Sequence, residues 1–245
     1  AMQAAKEYKE KNPAKDVQVW IAKGTFNVST SLPLAEGVHI YGGFAGTETS
    51  VDQRSKVSGG EFWDFSNEVV LDGQNSTQIM SQSVNFNTET YIDGLTFKNA
   101  NSSSNGGGIY ALAKTMVQYC KFIDCKASNG GGVYFNNATG AKVIYSYFKG
   151  NSGTNGGAIF SDNSSPRVEN CHIESNTAVN RGGGVYLYQG VITHSYVANN
   201  HCDGAEATLG GGGGIYLRDG GAASTCIVLG NTSNRGAGIM CGGNK

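Results

Sequence analysis

The sequence predicts an all-β fold, a single-stranded parallel β-helix in which short strands stack coil upon coil, closed at its start by a short capping helix. Three observations predict it. Gly 37 with Pro 3 in 245 residues, without a G-X-Y period, excludes collagen, and Tyr 12 with Phe 10 at only 15% charged residues argues against disorder. A glycine-led motif recurs six times, with steps of 24, 26, 26, 30 and 24 residues. A second apolar motif follows each of the first five copies, so every ~25 residues carry two strand-like segments that bury a face only by stacking.

The first motif reads Gly107-Gly108-Ile109-Tyr110, Gly131-Gly132-Val133-Tyr134, Gly157-Ala158-Ile159-Phe160, Gly183-Gly184-Val185-Tyr186, Gly213-Gly214-Ile215-Tyr216 and Gly236-Ala237-Gly238-Ile239-Met240. The second reads Val117…Cys120…Phe122, Val143…Ser146…Phe148, Val168…Cys171…Ile173, Ile192…Ser195…Val197 and Ala223…Cys226…Val228, with Ile92…Leu95…Phe97 upstream. Three residues beyond it stand Asn151, Asn176, Asn200 and Asn231. In-register stacking at ~4.8 Å then predicts inward columns Ile109-Val133-Ile159-Val185-Ile215-Ile239 and Phe97-Phe122-Phe148-Ile173-Val197-Val228. Two residues, not one, separate the first two apolar positions of the second motif, so strict alternation fails and the chain bends there. Asn-Gly and Arg-Gly before the first motif supply another corner.

Upstream the pattern loosens. Val17 to Ile21 alternates as a first strand, Gly37 to Phe44 reads as a second coil, and Val69 to Gly73 as a third. Met2 to Lys11 is a polar helical stretch suited to capping a solenoid end. The chain reads as one domain, 1–245: a cap and irregular coils over 1–90, regular coils over 91–245, and an insertion at 201–209. It is expected to be part of a longer protein, with any secretory leader upstream or removed.

A formal net charge of −1 gives no electrostatic reason to expect nucleic acid or an anionic membrane as partner. No apolar run approaches the ~20 residues of a membrane-spanning helix. The six cysteines include no CxxC pair. Cys120, Cys171 and Cys226 share an inward column with Leu95, Ser146 and Ser195, and Cys125 stands where later coils carry Asn. They are expected to act as small buried hydrophobes.

At these residues the chain resembles the right-handed β-helix regions of Gram-negative surface proteins, including those with polymorphic outer membrane protein repeats, which pair a GGAI-type motif with FxxN. Gly156-Gly157-Ala158-Ile159 and Phe148-Lys149-Gly150-Asn151 match it, and Ile173-Glu174-Ser175-Asn176 is a relaxed copy. The stretches Val19 to Phe26, Gly42 to Thr49 and Gln53-Arg54 are similar to the segment preceding such repeats. The resemblance implies a right-handed solenoid, secreted or held at the outer membrane surface, adhesin-like, and without a cofactor.

Two surface groups are candidate sites. Tyr110, Tyr134, Phe160, Tyr186 and Tyr216 follow inward residues and should point outward as an aromatic column, either a platform for sugar rings or a self-stabilising ladder. A second group gathers Tyr119, Tyr145, Tyr147, His172, His194 and Tyr196, with His172 and Tyr196 direct neighbours. No carboxylate or thiolate completes a metal set with the histidines, so none is expected there. The insertion His201 to Leu209 carries His, Cys, Asp and Glu on the one long loop interrupting the repeats. The expected function is a non-enzymatic surface module touching a glycan or another cell-surface component. The alternative is a polysaccharide lyase or glycoside hydrolase. Repeat carboxylates Asp93, Asp124, Asp162, Glu169, Glu174 and Asp219 scatter over different columns and do not suggest the paired arrangement hydrolysis needs.

Overall fold

In a computed structural model describing residues 1–205 and 210–243, the chain forms a parallel β-solenoid of about 8 turns. Three eight-stranded sheets run along it. The first face begins at Val17–Ala22 and Val38–Phe44 and ends at Ala222–Ser224. The second runs from Gly24–Asn27 to Ile227–Leu229, and the third from Leu32–Pro33 to Ile239–Gly242. A shorter four-stranded sheet, Ser152–Asn155 to Thr232–Ser233, fills the corner between second and third faces.

The predicted register holds. Ile109, Val133, Ile159, Val185, Ile215 and Ile239 pair in succession, as do Phe97, Phe122, Phe148, Ile173, Val197 and Val228. Both columns lie inside, fully buried except in the last coil. Phe97, Phe122 and Phe148 stack with centroids 4.7 Å apart.

Corners form where the apolar spacing breaks. Tyr119, Tyr145, Asn170, His194 and Thr225 all have φ between 49° and 54°, turning the chain from first to second face. Left-handed backbone at a non-glycine residue costs on the order of 1 kcal/mol, so each coil holds it against a local preference. At the corner before the third face, Gly130 and Gly156 (φ 62° and 57°) take that conformation without such a cost.

The asparagine series is a buried ladder. The Asn176 Oδ1 accepts the Asn151 backbone N–H at 2.9 Å, and its Nδ2 donates to the Phe148 carbonyl at 3.2 Å. Asn151, Asn200 and Asn231 repeat the pattern, and the Cys125 N–H reaches Asn151 Oδ1 at 3.0 Å. All six cysteines are unpaired. Burial pushes the thiols of Cys120, Cys125 and Cys171 up to about 12, keeping them protonated.

The helix Met2–Lys11 lies against the first face, with Met2 and Ala5 on Val17, Val19 and Val38. Met2 also reaches the main core, yet Ile21 and Leu32 beside it stay half-buried, so the cap closes that end in part.

Candidate functional site

The aromatic column stacks as expected, outside the lumen. Successive centroids are 5.3, 5.4, 4.4 and 5.1 Å apart from Tyr110 through Tyr134, Phe160 and Tyr186 to Tyr216. An exposed platform is not what results. Tyr134, Phe160, Tyr186 and Tyr216 are only 4%, 9%, 3% and 1% exposed, because each ring covers its neighbour's face. Residues from the adjoining strand positions close the edges. Asn136 donates to the Tyr110 hydroxyl at 2.7 Å, the Tyr134 hydroxyl donates to Asp162 at 3.2 Å, and the Arg181 guanidinium lies 5.8 Å from the Tyr216 centroid. Burial, then the Asp162 charge, raises the Tyr134 hydroxyl above its ordinary value. Only Tyr110, the half-buried end ring, is partly open, and the other four rings form a second apolar core outside the first.

The open site is on the second face. Its outward residues form a column of Val70, Thr96, Lys121, Tyr147, His172 and Tyr196. Over it folds a hairpin from the irregular N-terminal part, pinned by the antiparallel bridge Lys56–Phe65. Arg54 anchors its base, donating to Asp93 at 2.7 Å and to the Gly42 carbonyl at 3.0 Å, with Phe65 packed over its guanidinium at 4.7 Å. The Lys56 ammonium rests 3.3 Å from the Phe65 centroid and donates to the Phe62 carbonyl. Burial, then the Arg54 charge, lowers it to about 8.

This hairpin carries Trp63 flat onto Tyr147, 5.4 Å between centroids and 10° from parallel, and Phe62 onto Tyr145 at 4.9 Å. A sheet face that would otherwise be flat becomes a cleft of about 460 Å³ lined by Glu61, Trp63, Asp64, Glu68, Thr96, Lys121, Ile123, Tyr147 and His172. That volume lies within the roughly 300–1,000 Å³ of small-ligand sites. Lys121 Nζ is 2.6 Å from Glu68 and 3.3 Å from Asp64. The Tyr147 hydroxyl donates to Glu174 at 2.5 Å, and Lys149 approaches the same carboxylate at 3.2 Å. For Glu68, burial pulls upward, but hydrogen bonds from Lys121 and Thr96 outweigh it and the carboxyl is held below its usual range. The Tyr147 hydrogen bond, more than burial opposes it, does the same for Glu174. His172 stands edge-on to Tyr147 at 5.3 Å and Tyr196 at 4.5 Å. Its Nε2 is buried, 3.3 Å from Glu174, close enough for an ion pair but without hydrogen-bond geometry.

A family model described as the right-handed beta helix region matches residues 82–245. The chain belongs to that family. No curated protein and no solved structure matches it.

In this right-handed beta helix, Tyr147 and His172 line the cleft, and Tyr196 follows on the same column. His194 does not join them. It occupies a corner (φ 49°), is exposed, and meets Thr193 at 3.0 Å. The cleft's Glu61, Trp63, Asp64 and Glu68 went unassigned in the sequence because they precede the repeats and match no column. The available signal was the aromatic run Phe62-Trp63-Asp64-Phe65, too apolar for a solvated loop. At the insertion, His201 reaches Asp203 at 2.9 Å and Thr232 at 2.7 Å, while residues 206–209, with the Glu of that set, lie outside the described residues. No described helix is long and apolar enough to cross a membrane.

Proposed function

We propose that this β-helix is a non-enzymatic module, secreted or displayed at a cell surface, that binds glycan in the cleft of its second face. The observation carrying this reading is the joining of Trp63, from the hairpin, to Tyr147 and His172, from adjacent coils, beside Asp64, Glu68 and Lys121. Trp63 is itself only 8% exposed, its face on Tyr147, so it shapes the wall. Half-buried Tyr147 and His172, beside oriented ionic groups, are open to a saccharide's band of ring hydroxyls. About eight coils at ~4.8 Å make a stiff scaffold that adapts little on binding. Hydrolysis would need a carboxyl that keeps its proton near neutral pH. Glu68, a carboxyl lining the cleft, is instead held ionised and does not supply that acid.

Glycan-array and calorimetric binding test the reading, with surface labelling of intact cells for its placement. His172→Ala and Trp63→Ala should each weaken binding at least tenfold, while Tyr134→Phe, remote from the cleft, leaves it unchanged. Absence of glycan binding by the parent chain, or full binding by His172→Ala, refutes the site.

A further inference from the structure

We infer that Thr232 is an activated hydroxyl that takes an acyl group from a carboxylic ester, with His201 as its base and Asp203 orienting that base. The set lies on the four-stranded corner sheet, apart from the cleft, and does not depend on glycan binding there. Parallel pairing stacks Ser152, Thr177, His201 and Thr232 into one column, in which the last three are exposed. His201 Nδ1 lies 2.7 Å from the Thr232 hydroxyl, and its Nε2 lies 2.9 Å from Asp203 Oδ1.

The carboxylate decides which imidazole nitrogen holds the hydrogen. A carboxylate accepts hydrogen bonds and donates none, so Nε2 of the neutral ring carries the hydrogen and donates it to Asp203. Nδ1 then presents a lone pair, and the Thr232 hydroxyl donates to it. Hydroxyl, imidazole and carboxylate in that order are what a nucleophile with its base and orienting group requires. Backbone bonds of the stack hold all three in place. The His201 N–H donates to the Asn176 carbonyl at 2.8 Å, that of Asp203 to Ala178 at 3.0 Å, and that of Thr232 to Asn200 at 2.9 Å. Asn234 Nδ2 also donates to the Asp203 carbonyl at 2.7 Å.

The step needs the ester and nothing else. Thr232 Oγ1 attacks the ester carbonyl carbon as His201 Nδ1 removes the hydroxyl proton. The bond from that carbon to the alkoxy oxygen breaks, and the departing alkoxide takes the proton from Nδ1 and leaves as an alcohol. The acyl group stays on Thr232 as a new ester, a self-modification of the chain. The ester also has a place to lie. A groove of about 450 Å³, walled by Ser152, Thr154, Thr177, Val179 and Asp203, follows the same column and ends on the coil that carries His201.

The probe is p-nitrophenyl acetate, read by peptide mass mapping of the acetyl group on each threonine. Thr177 is the internal control. It flanks His201 on the other side and is equally exposed, yet the two imidazole nitrogens face Thr232 and Asp203. General-base assistance contributes about 10²–10⁴-fold, so Thr232 should acetylate at least tenfold faster than Thr177. His201→Gln, an exposed change that should leave melting unaltered, should bring Thr232 down to the Thr177 rate. Asp203→Asn should slow Thr232 at least fivefold, since an amide no longer dictates the imidazole tautomer. The acetyl group should be lost from that position in Thr232→Val and retained in His172→Ala, which alters the cleft alone. Equal rates at Thr232 and Thr177 in the parent chain, or an undiminished Thr232 rate in folded His201→Gln, overturns the inference whatever the glycan assays show.

Discussion

At the scale of single residues, the buried asparagines show how a polar side chain becomes a core residue. Each completes the hydrogen bonding of the coil before it at a corner where the backbone leaves the sheet and its own groups would go unpaired. In Asn176→Ala, the Asn151 N–H and the Phe148 carbonyl both lose a partner inside the protein. At about 1–3 kcal/mol per orphaned group, the loss should be about 2–6 kcal/mol, measurable by denaturant unfolding. Asn101→Ala, which removes a side-chain bond to the Asn75 carbonyl on the exposed side, should cost less than about 1 kcal/mol. Equal costs would refute a special role for the buried ladder. The recurrence of asparagine, and Cys125 in the same column, were legible in the sequence because the coil period aligns them. What each side chain bonds to was not, since that depends on the corner's backbone.

At the scale of elements, the hairpin between Lys56 and Phe65 makes the cleft, and ionic contacts help to hold it down. Its Asp64 and the neighbouring Glu68 both reach Lys121 on the sheet. Glu68 has a carboxyl held below its ordinary range, so the folded contact favours its ionised form. Its stabilisation is therefore fully present above the ordinary glutamate range and is lost as pH falls through the depressed value. In a Trp20→Phe background, where Trp63 is the one remaining tryptophan, fluorescence should be blue-shifted at neutral pH and move red in an acid step lying below that range. Lys121→Met should abolish the step, and an unchanged step would show that other groups hold the hairpin. This element is the part of the site the sequence did not expose. Repeat alignment assigns a residue's direction from its equivalents on other coils, and residues 55–66 have none. The same limit explains the aromatic column: alignment shows that Tyr134 points out of the lumen, but not that its neighbours cover it.

At the scale of the whole molecule, the architecture was the most legible feature because one constraint repeats. A coil contacts mainly the coils above and below, so the same pattern must satisfy both neighbours, and six copies overdetermine the register. That arrangement also predicts how stability is distributed. Phe148 is fully buried between Phe122 and Ile173, whereas its equivalent Val228 lies in the last coil, whose Ile227 and Ile239 are 60% and 42% exposed. In this 245-residue chain, Phe148→Ala should cost about 3–5 kcal/mol and Val228→Ala clearly less, because truncation is costly where close-packed neighbours leave a cavity. Native-state hydrogen exchange should follow the same gradient. Amides of Val143–Phe148 should open only with the bulk of the solenoid, and those of Ile227–Leu229 by local fraying at much lower free energy. Uniform protection from the middle to the last coil would mean that the stack unfolds as a single unit, and nearest-neighbour coupling would then fail as its energetic description.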